Sequence, residues 1–189
     1  MTDLRPDMRL FDRPAPVVAR ALIGMRLFVD GVGGLVVETE AYDRADPASH
    51  SCKGPTARNA AMFGPPAHAY VYRSYGLHWC LNLVCGPEPG SAVLIRALEP
   101  ETGIAVMQAR RGAVAVRDLC RGPGRLCQAL DVTGTLDGRS LAAPPFTLLP
   151  AAEEVDVACG PRIGITKGIA TEWRFGLAGS RFLSRPLRS

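Results

Sequence analysis

The stretch AYVYRSYGLHWCLNLVC, residues 69–85, decides the architecture. A run rich in aromatic and β-branched residues meets Ser74, Tyr75 and Gly76, and a second such run follows, so the pattern predicts an antiparallel hairpin turning at those three residues. Alternate side chains of a strand share a face. Tyr70 and Tyr72 therefore fall together, and on the returning strand His78, Cys80, Asn82 and Val84 face one way while Leu77, Trp79, Leu81 and Leu83 face the other. The second set reads as core. The first carries an imidazole and an amide that need partners or a polar cavity. Tyr75 stands apart, because a large aromatic at a tight turn either packs back on its own domain or inserts into a partner.

On either side of this hairpin the same signals recur. RLFVDGVGGLVVETEAY, residues 26–42, predicts a second hairpin with its turn around Gly31–Gly34, and SAVLIRALE, residues 91–99, a further strand. Helices are predicted over PAPVVARALI (14–23), from Pro100 through ETGIAVMQARRG, and within RLCQALDVTG (125–134). Gly24 and Gly112 would end the first two, and Arg110 and Arg111 suit the negative end of a helix dipole. Residues 43–66 show no sustained period and read as a long loop containing short helical turns, a length that usually serves a function. Beyond Thr135 come proline-bounded strands and a basic tail.

The 189 residues are 47% apolar, with 22 Lys plus Arg against 18 Asp plus Glu, which suits a single domain and excludes collagen, coiled coil and long disorder. No apolar run reaches the roughly 20 residues needed to cross a bilayer. Charges and prolines interrupt the amino terminus where a signal peptide would be apolar, so an intracellular protein is expected. A formal charge of +4 does not by itself announce a polyanionic partner. Its distribution is more informative. From Gly160 onward Arg162, Lys167, Arg174, Arg181, Arg185 and Arg188 face one acid, Glu172. Only Lys53 and Lys167 are lysines, an arginine bias that suits bidentate phosphate contacts or reflects a GC-rich coding genome. Six cysteines form no C-x-x-C pair, and His50 with Cys52 lacks a second ligand pair at recognisable spacing, so no metal is expected.

On a strand, Glu38, Glu40 and Tyr42 share one face, and carboxylates at i and i+2 lie roughly 7 Å apart, close enough for acid/base chemistry if solvent is excluded. The alternative is a solvent-facing strand edge. Arg96 interrupts an apolar strand and must be paired or face a cavity. Paired with Glu40 it would keep the carboxylate ionised and orient a water; paired with Glu38 or Glu99 it would be structural. His50 and His68 sit in loop-like surroundings, where surface positions are the commoner reading.

Together, ETEAY (38–42), ASH (48–50), GPTARNAAMFGPP (54–66), YVYRSYGLHWCLN (70–82), LIRALEP (94–100) and GPGRLCQAL (122–130) closely resemble the alkyladenine (3-methyladenine) DNA glycosylase family, in collinear order. The resemblance implies an α+β fold: one domain over 1–189, built on a curved, mostly antiparallel sheet with surrounding helices and a protruding β-hairpin. It implies a monofunctional, cofactor-free monomer, bacterial and cytoplasmic. Such an enzyme flips damaged purines out of double-stranded DNA and hydrolyses the N-glycosidic bond, leaving an abasic site. Glu40 matches the water-activating glutamate and Arg96 the water-orienting arginine. Tyr42, His50 and Tyr72 match residues that enclose the flipped base, Asn82 the asparagine opposing the 2-amino group of guanine, and Tyr75 the aromatic that fills the vacated stack. Arg58, Arg73, Arg125 and Arg162 lie in or beside these motifs as candidates for the DNA backbone. Two rivals remain: a damage-binding protein that flips bases without cleaving, and a carbohydrate hydrolase using Glu38 and Glu40.

Overall fold

A computed structural model describes residues 6–187. It contains eight strands: β1 (Arg26–Val29), β2 (Val32–Tyr42), β3 (Ala69–Ser74), β4 (His78–Cys85), β5 (Ser91–Thr102), β6 (Phe146–Leu149), β7 (Val157–Gly160) and β8 (Arg174–Leu177). Three α-helices accompany them: α1 (Ala15–Ala21), α2 (Ile104–Arg111) and α3 (Pro123–Leu130). All the pairings are antiparallel, in the order β3-β4-β5-β2-β1-β6, with β8 joining β2 and β7 joining β8. The expected α+β architecture, a curved antiparallel sheet with helices packed on it, is the one observed. No described helix is long and apolar enough to cross a membrane.

β2 is the axis of the sheet. Its first half pairs with β1 (Arg26↔Leu35 to Val29↔Val32), its second half with β8 (Glu38↔Gly176 to Glu40↔Arg174), and β5 runs along the other edge. The β2–β5 register shifts between Val36 and Glu38 and again between Glu38 and Thr39, leaving Val37 and Arg96 outside the pairing. Such bulges re-aim side chains next to active sites. Here they let both Glu38 and Glu40 reach Arg96.

The first hairpin turns at Asp30 and Gly31, both with positive φ, and not across Gly31–Gly34. Two residues with left-handed φ match the strand twist of a tight hairpin. Gly33 and Gly34 lie within β2, where an added Cβ would fall 2.0 Å from the Leu27 and Glu99 carbonyl oxygens respectively, so these glycines serve close strand approach. Nor does Pro100 open a helix. It stays in β5 opposite Gly34, beside a register shift where its missing N–H costs the ladder little, and α2 begins only after Gly103, in the left-handed region at φ 76°.

The main core lies between the sheet and the helices, with Phe11, Leu22, Leu27, Leu81, Leu83, Ile95, Leu98, Met107, Leu126 and Leu130 fully or almost fully buried. α1 packs on β2 and β5, and α3 on β4 and β5. A smaller cluster on the other face joins Met62, Tyr70, Val84 and Ala92 to Tyr42, Phe63 and Tyr72. Leu77, expected among the core-facing residues of β4, instead precedes the first pair, Ser74↔His78, and is 72% exposed. All six cysteines are free, and Cys52 and Cys159 are exposed.

Candidate active site

The second face of the β3–β4 hairpin opens into a cavity of about 730 Å³. Tyr70, Tyr72, Cys80 and Asn82 form its hairpin wall, Pro47, Ala48, His50 and Arg58 come from the long loop, and residues 163–167 close the opposite side. Tyr70 and Tyr72 are stacked at 5.4 Å between centroids, and the His50 ring stands edge-on to Tyr72 at 4.5 Å. His50 Nδ1 shares a 3.0 Å hydrogen bond with the Tyr70 hydroxyl, and Asn59, buried in the same loop, donates from Nδ2 to the His50 carbonyl at 2.9 Å. Partial burial, then the charge of Arg58, lowers the His50 pKa and favours a neutral ring. Burial raises Tyr70 to about 12 and pushes Tyr42 and Tyr72 up as well, so three protonated phenols surround the space. Asn82 donates to the Tyr70 carbonyl at 3.1 Å, which fixes the plane of its amide.

Glu40 lies just behind this cavity, with no solvent exposure and without being part of its lining. Three lining residues donate to it. The Tyr42 hydroxyl and Arg96 Nη1 reach Oε2 at 2.9 and 3.2 Å, and the backbone N–H of Ile163 reaches Oε1 at 2.7 Å. Although burial opposes the charge on Arg96, Glu40 and Glu38 outweigh it and raise the guanidinium pKa.

The two readings of Arg96 are therefore both realised, since Nε donates to Glu38 at 3.1 Å while Nη1 serves Glu40. The solvent-edge reading of the two glutamates fails, because neither has any exposure. Glu38 is saturated. Its Oε1 accepts from Arg96, from Arg174 Nε at 2.7 Å and from Ser184 Oγ at 2.8 Å, and its Oε2 from the Ser184 N–H at 2.5 Å. A carboxylate so engaged has nothing to offer a sugar, which removes the two-glutamate hydrolase reading. Two carboxylates and two guanidiniums balance within this buried group, and taking away one partner of such a set costs about 3–5 kcal/mol.

Tyr75 tips the hairpin at φ 50° and is 89% exposed; it does not pack back. Arg58, Arg73 and Arg125 are exposed nearby, Arg58 donating to the Arg73 carbonyl at 2.8 Å and Arg73 lying over the Trp79 ring at 5.4 Å. Arg162 departs from the expectation of a backbone contact. It is buried, its guanidinium binds both Asp46 oxygens and the Ala41 carbonyl, and it presents no face to a phosphate. Sequence reasoning passed over Asp46, Asn59, Ile163, Arg174 and Ser184. Asn59 stood inside a matched motif, whereas the other four act through backbone groups or partners more than 100 residues away in sequence.

Comparison with known proteins identifies the family. The sequence model of the family described as "Methylpurine-DNA glycosylase (MPG)" matches residues 9–181. A relative from Granulibacter bethesdensis is 64% identical over 176 residues, covering 91% of this chain and 83% of its own length. One from Nitrosospira multiformis is 61% identical over 172 residues (90% and 89% covered), and one from Rhizobium etli 56% over 178 (94% and 88%). All three carry the name "Putative 3-methyladenine DNA glycosylase". The chain therefore belongs to the methylpurine-DNA glycosylase family, whose members are hydrolytic DNA glycosylases.

Proposed function

We propose that this enzyme, acting as a monomer without metal or cofactor, excises 3-methyladenine and related alkylated purines from duplex DNA using Glu40 as the base. The observation that carries the reading is the convergence of Tyr42, Arg96 and the Ile163 N–H on one buried carboxylate at the back of an aromatic cavity. A base inside a duplex is out of reach, so it must rotate out of the stack into this cavity. A cationic alkylated purine is drawn to electron-rich ring faces, which Tyr42 and Tyr72 in the cavity lining supply beside His50 and an ordinary neutral purine exploits less. Asn82, its amide held by Tyr70, opposes the 2-amino group of guanine.

The reaction then needs a placed water. As the C1′–N bond breaks, its electron pair leaves with the alkylated base, which departs neutral, and positive charge develops on the sugar. The Glu40 carboxylate stabilises that charge and takes a proton from the water whose oxygen bonds to C1′. Hypoxanthine and 1,N6-ethenoadenine, neutral and poorer leaving groups, are slower substrates of the same pocket. The test is incubation with methylated duplex DNA. The expected result is free 3-methyladenine and alkali-labile abasic sites without strand cleavage by the enzyme; intact glycosidic bonds after complete lesion binding would refute the reading and favour a damage-binding protein.

A further inference from the structure

Arg162 is buried and, among the described residues, makes no bond to the Glu38 network that holds Arg96; its hydrogen bonds run instead to Ala41, Asp46 and Gly168, which adjoin lining residues of the cavity. Its guanidinium lies over the Tyr42 ring at 4.8 Å and over the Trp173 ring at 5.5 Å. Nη1 donates to the Ala41 carbonyl at 2.9 Å, and the group forms a close bidentate pair with Asp46. Nη2 also reaches the Gly168 carbonyl at 3.5 Å. Asp46 in turn accepts from the Ala48 N–H at 3.0 Å and so starts the loop that carries His50. Nε has no partner among the described residues. A buried guanidinium that gives up one hydrogen bond is held by its other contacts, and those contacts join three separate pieces of chain.

Two of these pieces touch Glu40. Tyr42, under the guanidinium, donates its hydroxyl to Oε2, and Ile163, next in sequence to Arg162, donates its N–H to Oε1. We propose that the Arg162–Asp46 pair is a positioning device: it locks the 163–168 segment and the His50 loop against Tyr42, and so holds two of the three donors on the Glu40 carboxylate. Arg162 touches no reacting atom. Its planarity matters as much as its charge, because a lysine could pair with Asp46 but could not also lie over two rings and reach two carbonyls.

This inference rests on Glu40 being the base, and the experiment separates the two. Arg162→Lys and the milder Asp46→Asn are measured by single-turnover excision across pH, well below each variant's thermal midpoint, beside Arg26→Met, which breaks a salt bridge to Glu101 remote from the site. A carboxylate that loses donors to its charged form becomes easier to protonate, so the acid limb of the rate profile moves to higher pH. Arg96, Tyr72, Cys80, Glu38 and Arg174 also face or adjoin Glu40, and all are unchanged in the variants. The expected result is a rate lower by about ten- to a hundredfold, the size of loss that small misplacements cause. The acid limb should move up in Arg162→Lys and, less, in Asp46→Asn, with none of this in Arg26→Met. Folded variants with the parental rate and acid limb would overturn the positioning role while leaving Glu40 as base. A parental profile whose acid limb persists in Glu40→Gln would overturn the Glu40 reading and the positioning role with it.

Discussion

At the scale of single residues, selectivity comes down to how few groups are free to act. Glu38 is consumed by Arg96, Arg174 and Ser184, the cavity tyrosines stay protonated, and His50 is biased to neutrality, so Glu40 is the carboxylate beside the cavity to which we assign the chemistry. Asn82 is the residue to which we assign discrimination. Its amide cannot swing away without losing the bond to the Tyr70 carbonyl, so an approaching 2-amino group meets a fixed obstacle. Asn82→Ser shortens that obstacle, and the guanine-release rate from undamaged DNA should rise by about tenfold, within the range that modest pocket changes command. High-performance liquid chromatography of released bases measures it, and an unaltered guanine rate would remove the gatekeeping role.

At the scale of elements, the β3–β4 hairpin does two jobs: one strand face builds the cavity and the tip projects away from the fold. Tyr75 and Leu77 are both exposed there, an apolar pair whose exposure suits insertion between base steps, where a wedge offsets part of the unstacking cost of a few kcal/mol. Tyr75→Ala should reduce the 2-aminopurine fluorescence rise that reports flipping, most for well-paired lesions, with the thermal midpoint nearly unchanged because the side chain packs so little. Equal fluorescence in variant and parent would contradict the wedge. This hairpin was legible in the sequence because period-two alternation, a Gly-containing turn and aromatic strands agree. Two of the places where the reading slipped turned on a glycine or a proline. Gly33 and Gly34 looked like turn residues but serve close strand approach, and Pro100 looked like a helix start but sits at a bulge. Both depend on which strand lies alongside, which local sequence does not state. The shared face of Glu38, Glu40 and Tyr42 follows from alternation alone, whereas their meeting with Arg96 needs the β2–β5 pairing and its bulge.

At the scale of the whole molecule, the basic C-terminal run divides by burial. Arg162 and Arg174 neutralise Asp46 and Glu38 inside the protein, whereas Lys167 lines the cavity and Arg181 and Arg185 are exposed; Arg188 lies outside the described residues. Two of the five described basic residues of this run thus serve internal charge balance. The exposed Arg58, Arg73 and Arg125, grouped around the cavity and hairpin, are better placed to meet phosphates. Replacing all three with Gln should flatten the dependence of log affinity on log salt by up to about 0.9 for each phosphate that is no longer neutralised. An unchanged slope in fluorescence anisotropy titrations would place the DNA elsewhere. The central claim is that one carboxylate at the back of an aromatic cavity performs the hydrolysis, and single-turnover excision of 7-methylguanine from duplex DNA by Glu40→Gln tests it most directly. The amide keeps the side chain's shape but cannot accept the proton, so lesion affinity should stay within about threefold of the parent while the excision rate falls by roughly a thousandfold or more. A Glu40→Gln protein that binds the lesion and excises it at the parental rate would contradict the account.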